Sequence, residues 1–234
     1  MNLFFSNSIE GSLIRLDPDE SRHCIKVLRL GKDDIIHVTD GKGKLYKACI
    51  SDLAGGIVTA SVIEVRESEH ETGFRLHLAI APTKNSDRFE WFLEKAVELG
   101  IQEISPMFCA HSERNRINPV RLHKILISAV KQSLKTTLPV LNQGISFNEL
   151  IEKKSHGAKL IASCTATADK EIQNIYTKGE DVLVLIGPEG DFSETELQSA
   201  IRQGFEPVSL GESRLRTETA GIYVTAVINL INRM

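Results

Sequence analysis

The chain is poor in the residues and runs that commit a protein to secretion, a membrane or a metal. Its 234 residues hold four cysteines, Cys24, Cys49, Cys109 and Cys164, far apart and without a CxxC pair. That spacing points to reduced thiols in a cytosolic protein and argues against disulfides or zinc. The seven histidines show no HxxxH or HxH spacing, so no metal is expected. No apolar run approaches the ~18–20 residues that cross a bilayer. The start MNLFFSNSIEG lacks the basic flank and apolar stretch of a secretory signal, so a cytoplasmic location without a membrane partner is the expectation. Net charge is −3 and gives no overall sign of a nucleic-acid binder. What is present is 41% hydrophobic and 25% charged residues, the composition of a globular chain of one or two domains.

Charge is unevenly placed. Residues 110–135 carry Arg114, Arg116, Arg121, Lys124, Lys131 and Lys135 against the single acid Glu113, with His111 and His123 among them. Such a run is ordinarily a solvated helix face. A local basic patch in an acidic chain also attracts phosphate backbones.

Residues 1–70 read as a small β-rich unit with one helix. Asp17-Pro18-Asp19-Glu20 is a helix start, with Asp17 as cap, Pro18 in the first turn and Glu20 reaching back. The runs IIHVT and LYKACI flank the turn DGKG as a hairpin, and IVTASVIEV makes a further strand. The polar stretch RESEHETG, 66–73, reads as a linker. Residues 74–234 then alternate strands and helices. RLHLAIA, ISPMF, AKLIASC and DVLVLIG are strands, the last two apolar throughout as in a parallel sheet covered on both faces. SDRFEWFLEKAVELG is a helix, and VRLHKILISAVKQSLK another that turns Leu122, Ile125, Leu126, Ala129 and Leu134 inward. The pattern predicts an α/β domain.

Two loops carry the candidate chemistry. LIGPEGDFSETE leaves an apolar strand and enters a helix, because Ser193 and Glu196 have capping-box spacing and Gly204 ends the helix. Its glycines and proline imply a backbone held in a special shape at the carboxyl end of a strand, where open α/β sheets bind ligands. The loop is neither GxxxxGK[ST] nor GxGxxG. Glu189 and Asp191 also oppose an anion: like unit charges at ~4 Å and an effective dielectric near 20 cost about 4 kcal/mol. A neutral or cationic ligand fits better. About twenty residues on, VSL leads into GESRLRTET and the apolar helix AGIYVTAVINLI. There Gly211 allows close backbone approach, Arg214 and Arg216 supply cations, and Thr217 or Thr219 is placed to cap the helix. The two loops are expected to face each other from neighbouring strand tips. A plain tight connection and surface ion pairs are the competing reading.

IGPEG followed by LG and LRTETA at this spacing resembles the signature of the SPOUT methyltransferases. More narrowly it resembles the bacterial family that methylates a uridine of 16S ribosomal RNA at ring position 3. HCIKVLRLGKDDIIHVTDGKGKLYKA is similar to that family's N-terminal barrel, related to PUA domains, and APTKNSDRFEWFLEKAVELGI and VKQSLKTTLP to its middle segments. Lys84, Arg88, Lys95, Glu98, Gln132 and Ser133 match there. The resemblance implies a PUA-like barrel over 1–70 and, over 74–234, a methyltransferase domain with a parallel sheet and a deep trefoil knot. It also implies a homodimer, the cofactor S-adenosylmethionine and the small ribosomal subunit as partner. The sulfonium of that cofactor is cationic and it has no phosphate, which agrees with the acidic turn.

By the same resemblance, Leu185, Ile186, Gly187, Pro188, Glu189 and Gly190 hold the cofactor together with Leu210, Gly211, Leu215, Arg216, Thr217, Thr219 and Ala220, and Thr165 closes the pocket. Methylating the imide nitrogen of uracil removes its proton. Arg216 is the candidate to stabilise the charge that develops and Glu218 the candidate to accept the proton. Lys26, Arg29, Lys84, Arg88, Arg114, Arg116 and Lys135 are the candidate phosphate contacts. Asp191 stands where the family usually has glycine, and Lys135 stands where arginine is expected, which turns a bidentate grip into a point contact. The start MNLFF lacks an arginine common among relatives, so no role is assigned to the first strand. Two alternatives remain at this stage: methylation of another RNA such as transfer RNA, and an RNA-binding assembly protein without transfer.

Overall fold

Short apolar runs between turn residues become two separate sheets in the computed structural model, which describes residues 2–67, 73–164 and 170–234. Within the expected linker at 66–73, residues 68–72 lie outside that range. The chain divides into two units, one of residues 1–71 with 127–138 and one of 72–126 with 139–234.

The first unit holds strands β1 (Leu3–Phe5), β2 (Ser8–Glu10), β3 (Leu13–Arg15), β4 (Ile35–Thr39), β5 (Lys44–Asp52) and β6 (Thr59–Glu67). They form one sheet in the order β1-β4-β5-β6-β3-β2, with β1 parallel to β4 and the other pairs antiparallel. The expected hairpin is β4–β5. Strands β1 to β3 span three residues each, too short to show a period of two. Phe4, Ile14, Leu16, Ile36, Val38, Ile50 and Ala60 fill the core. Helix α1 (Pro18–Arg22) is capped by Asp17, whose side chain accepts from the Glu20 N–H at 2.8 Å. Glu20 does not reach back as expected. Its carboxylate accepts from the Phe5 N–H at 3.2 Å and pairs with Lys131. Burial of Glu20 explains the choice, because a buried carboxylate is tolerated only when paired and hydrogen-bonded.

The second unit contains β7 (Leu76–Ile80), α2 (Ser86–Leu99), β8 (Glu103–Phe108), the start of α3 (Pro119–Gln132), β9 (Val140–Leu141), β10 (Ile145–Ser146), α4 (Phe147–Glu152), β11 (Ala158–Ala162), β12 (Val182–Ile186), α5 (Glu194–Arg202), β13 (Glu206–Val208) and α6 (Thr217–Arg233). Among the described residues every pairing in its seven-stranded sheet is parallel, in the order β10-β8-β7-β12-β11-β13 with β9 on β8. Strand β12 is buried at all five positions, the signature of a sheet covered on both faces. Both capping signals of α5 are realised, with Ser193 and Glu196 forming the box and Gly204 following the last turn at φ 86°. In α3, Leu122, Leu126 and Ala129 are buried as expected, but Leu134 is exposed. The helix ends at Gln132, and Leu134 takes a left-handed φ of 55° that swings its side chain off the apolar face.

Helix α6 lies close against α2 and β7. A Cβ added at Gly221 would meet the Phe92 ring at 2.6 Å and Ile80 at 2.8 Å. Both neighbours are fully buried and cannot yield. We expect Gly221→Ala to destabilise the protein by about 1–3 kcal/mol in denaturant titration, despite alanine's better helix propensity; an unchanged or higher midpoint would refute the close packing.

Candidate functional site

The two loops singled out in the sequence do face each other, and two hydrogen bonds hold them together. The Thr217 hydroxyl donates to the Gly187 carbonyl at 3.0 Å, and the Arg214 guanidinium donates to the Glu189 carbonyl at 3.3 Å. Their strands are not neighbours as expected: β11 runs between β12 and β13. The end of β11 therefore becomes part of the site and contributes Ala162, Ser163 and Cys164.

The loops and the β11 end enclose a cavity of about 380 Å³. Of the expected cofactor contacts, Ile186, Gly187, Pro188, Glu189, Leu210, Gly211, Leu215, Thr217 and Ala220 line it. Leu185, Gly190, Arg216 and Thr219 are not in that lining, and Thr165 lies outside the described residues. Thr217 does not cap its own helix. Arg216 holds the cap position without a side-chain bond, because the Thr217 hydroxyl is spent on the opposite loop. Nor do the glycines of GPEG adopt left-handed backbone. They sit in close quarters instead: a Cβ on Gly187 would lie 3.1 Å from the Phe192 ring, and one on Gly190 3.2 Å from His111. The left-handed residue of this turn is Asp191, at φ 61°.

Sequence reasoning did not place Asp191 or Ser163 among the binding residues. Asp191 lines the cavity, and its carboxylate accepts from the Cys164 N–H at 3.1 Å and the Ser163 hydroxyl at 3.4 Å. The position of β11 in the sheet was the missing signal. The lining carries three acids, Glu189, Asp191 and Glu212, against one base, Arg214, so a cation is favoured over a phosphate.

Glu218 sits in the first turn of α6, between the cavity residues Thr217 and Ala220. It is buried; one carboxylate oxygen lies 3.8 Å from the Arg88 guanidinium and the other has no partner. A buried oxygen in that state is costly and marks a site poised for a further group. Arg216 is exposed, and its side chain makes no bond among the described residues.

The basic candidates divide between the units. Lys26, Arg29 and Lys135 belong to the first, and Lys84, Arg88, Arg114 and Arg116 to the second. Arg114 donates to the carbonyls of Thr83 and Lys84, stapling that loop. Lys84 pairs with Glu113 at 2.7 Å, and that hydrogen bond raises its pKa above the usual lysine value.

A larger cavity, about 770 Å³, lies at the opposite end of the sheet. It holds none of the expected residues. His77 and Ser105 line it, joined at 2.8 Å, and burial lowers the His77 pKa.

A parallel α/β sheet with paired loops over a phosphate-averse crevice defines a methyl-transfer class here, because residues 70–229 match the RNA methyltransferase domain family. Residues 16–63 match the RNA methyltransferase PUA domain. The chain belongs to the family of Ribosomal RNA small subunit methyltransferase E, with the SPOUT fold behind a PUA-like domain. It is 32% identical to the protein of that name from Synechocystis sp. over 227 residues, 93% of this chain and 73% of that one. It is similar to a crystal structure of a probable rRNA-methyltransferase from Porphyromonas gingivalis, at 42% identity and a TM-score of 0.92 over 100% and 99% of the two chains. A crystal structure of Ribosomal RNA small subunit methyltransferase E from Neisseria gonorrhoeae bound to S-adenosyl methionine aligns at 29% identity and a TM-score of 0.86, covering 99% and 98%.

Removing the tie between the loops should loosen the site. Thr217→Val deletes the hydroxyl while keeping the shape, and we expect a loss of about 1 kcal/mol in unfolding free energy, with faster hydrogen exchange in 187–192. Exchange at the parental rate would show that the tie does not close the crevice.

Proposed function

We propose that this protein methylates the ring nitrogen at position 3 of a uridine in 16S ribosomal RNA, taking the methyl group from S-adenosylmethionine. The observation that carries the reading is the crevice itself. Glu189, Asp191 and Glu212 outnumber the one cation in its lining, and small residues at 187 and 211 leave room for a ligand against the backbone. Those residues fit a cofactor that is cationic at sulfur and free of phosphate. When bound, S-adenosylmethionine supplies a methyl group activated on that sulfur.

The protein's own side chains deal with the nucleobase. The imide nitrogen must give up its proton as its bond to carbon forms, and Glu218 offers the unpartnered buried oxygen to receive it. Arg88, 3.8 Å away, holds the other oxygen and orients the carboxylate. Arg216, with a free guanidinium two residues earlier, donates hydrogen bonds to the flanking carbonyl oxygens as negative charge grows there. The remaining expected contacts, Leu185, Gly190 and Thr219, belong to the same reading as backbone partners of the cofactor, and Thr165 as the residue that closes the pocket. The candidate phosphate contacts of this reading are Lys26, Arg29 and Lys135 in the first unit and Lys84, Arg88, Arg114 and Arg116 in the second.

The reading includes a deep trefoil knot in residues 74–234, a homodimer and a cytoplasmic location. The half-exposed Trp91 and Leu230 on α2 and α6 supply apolar surface for a second copy. Among the described residues no helix is long and apolar enough to cross a membrane.

The direct test is incubation with labelled S-adenosylmethionine and small ribosomal subunits lacking the modification. Label should enter 16S ribosomal RNA as 3-methyluridine; label confined to transfer RNA, or none, would overturn the assignment. At saturating cofactor, Glu218→Gln should lower turnover by roughly 10²–10⁴ and Arg216→Ala by about 10²–10³. Parental turnover in either variant would remove that residue from the mechanism.

Arg116 is exposed and carries no ion pair among the described residues. If it contacts one phosphate, Arg116→Ala should reduce the log–log salt slope of RNA binding by about 0.7–0.9. An unchanged slope in filter-binding titrations would exclude the contact.

A further inference from the structure

Asp191 is an unusual residue at a decisive place. It adopts a left-handed backbone, φ 61°, in the turn after β12. L-residues seldom do so, although asparagine and aspartate tolerate it best. The side chain supports the conformation locally, since one carboxylate oxygen accepts from the Phe192 N–H at 2.8 Å. The other oxygen crosses to the end of β11, where it accepts from the Cys164 N–H and the Ser163 hydroxyl. Asp191, Ser163 and Cys164 all line the cavity. Among the described residues no lysine or arginine lies within ion-pair distance of this carboxylate.

The other two acids of the lining differ from it. Glu189 spends one oxygen on the Lys84 N–H, beside the Lys84–Glu113 pair, and the Arg214 guanidinium lies on the Glu189 carbonyl. Glu212 is exposed, so water screens its charge. Asp191 is half-buried and lines the cavity without an ion pair to its one base, Arg214. A fixed charge in that state favours a ligand bearing the opposite charge over one of the same shape without it.

We infer that Asp191 is a specificity residue that distinguishes cationic S-adenosylmethionine from its neutral thioether product. The inference rests on the proposed function. Substrate and product share the adenine, ribose and amino-acid parts, and they differ by one methyl group and one positive charge at sulfur. A carboxylate at the cavity wall holds the charged form and loses its attraction when the methyl group leaves. Asp191 thus acts through charge, while its hydrogen bonds to Ser163 and Cys164 keep the β11 end against the turn.

Asp191→Asn removes the charge and tolerates the same backbone; it keeps one acceptor oxygen and puts an amide NH2 in place of the other, so the contact to Phe192 or that to the β11 end is lost with the charge. Calorimetric titration of the parent and the variant would use S-adenosylmethionine, S-adenosylhomocysteine and sinefungin, in which an amine-bearing carbon replaces the methylated sulfur. We expect the variant to bind the two cationic ligands about fivefold more weakly and the neutral product within twofold of the parent. Its thermal midpoint should fall modestly, the cost of one lost acceptor, and product inhibition of methyl transfer should be stronger. Asp191→Gly, which relieves the backbone and removes charge and bridge together, should weaken all three ligands, the two cationic ones most. If Asp191→Asn changes the three affinities equally, or none of them, the charge role is wrong while the proposed function stands. If the parent binds none of the three, the proposed function itself falls and the inference with it.

Discussion

Closure of two loops that are far apart in sequence is the constraint on which the site depends. The Thr217 hydroxyl sits on the carbonyl of Gly187, thirty residues earlier in the chain. That one bond fixes where α6 begins. Once α6 begins there, Glu218 falls in its first buried turn and Ala220 on the cavity wall. The bond also explains why the helix has no side-chain cap of its own: the threonine best placed for capping satisfies a backbone acceptor elsewhere. Local stability of the helix end is exchanged for a tertiary link.

Close packing reinforces the same arrangement from below. Gly221 lets α6 approach the Phe92 ring, and Gly187 and Gly190 let their turn approach Phe192 and His111. These glycines serve by lacking a side chain, not by allowing a left-handed backbone. The position that needs such a backbone is held by an aspartate whose carboxylate bridges two strand ends. Shape and charge of the crevice therefore come from the same few residues.

Basic residues behave differently from their count. The surplus of cations between 110 and 135 looks in sequence like one patch, yet Arg114 is consumed by backbone carbonyls, Arg121 pairs with Glu90 and Lys131 pairs with Glu20. A charge that is already hydrogen-bonded must break that contact before it binds a phosphate. Arg116 is the member of the run with the fewest internal ties, and local charge density overstates the cations ready for a ligand.

Elements with a period, a cap or a characteristic turn were legible from residues alone. The apolar run of β12, the capping box at Ser193, the hairpin around DGKG and the two loops all express local chemistry that neighbouring residues determine together. Three-residue strands, the left-handed Leu134 and the inward turn of Glu20 were not legible, because each depends on partners remote in the chain. By itself, then, the sequence determined the longer strands and helices and the acidic character of the turn after β12. Only the tertiary structure decided that β11 lies between β12 and β13, which brings Ser163, Cys164 and Asp191 to the site. Strand order is a matter of which buried faces pair across the whole sheet, and no local pattern carries it.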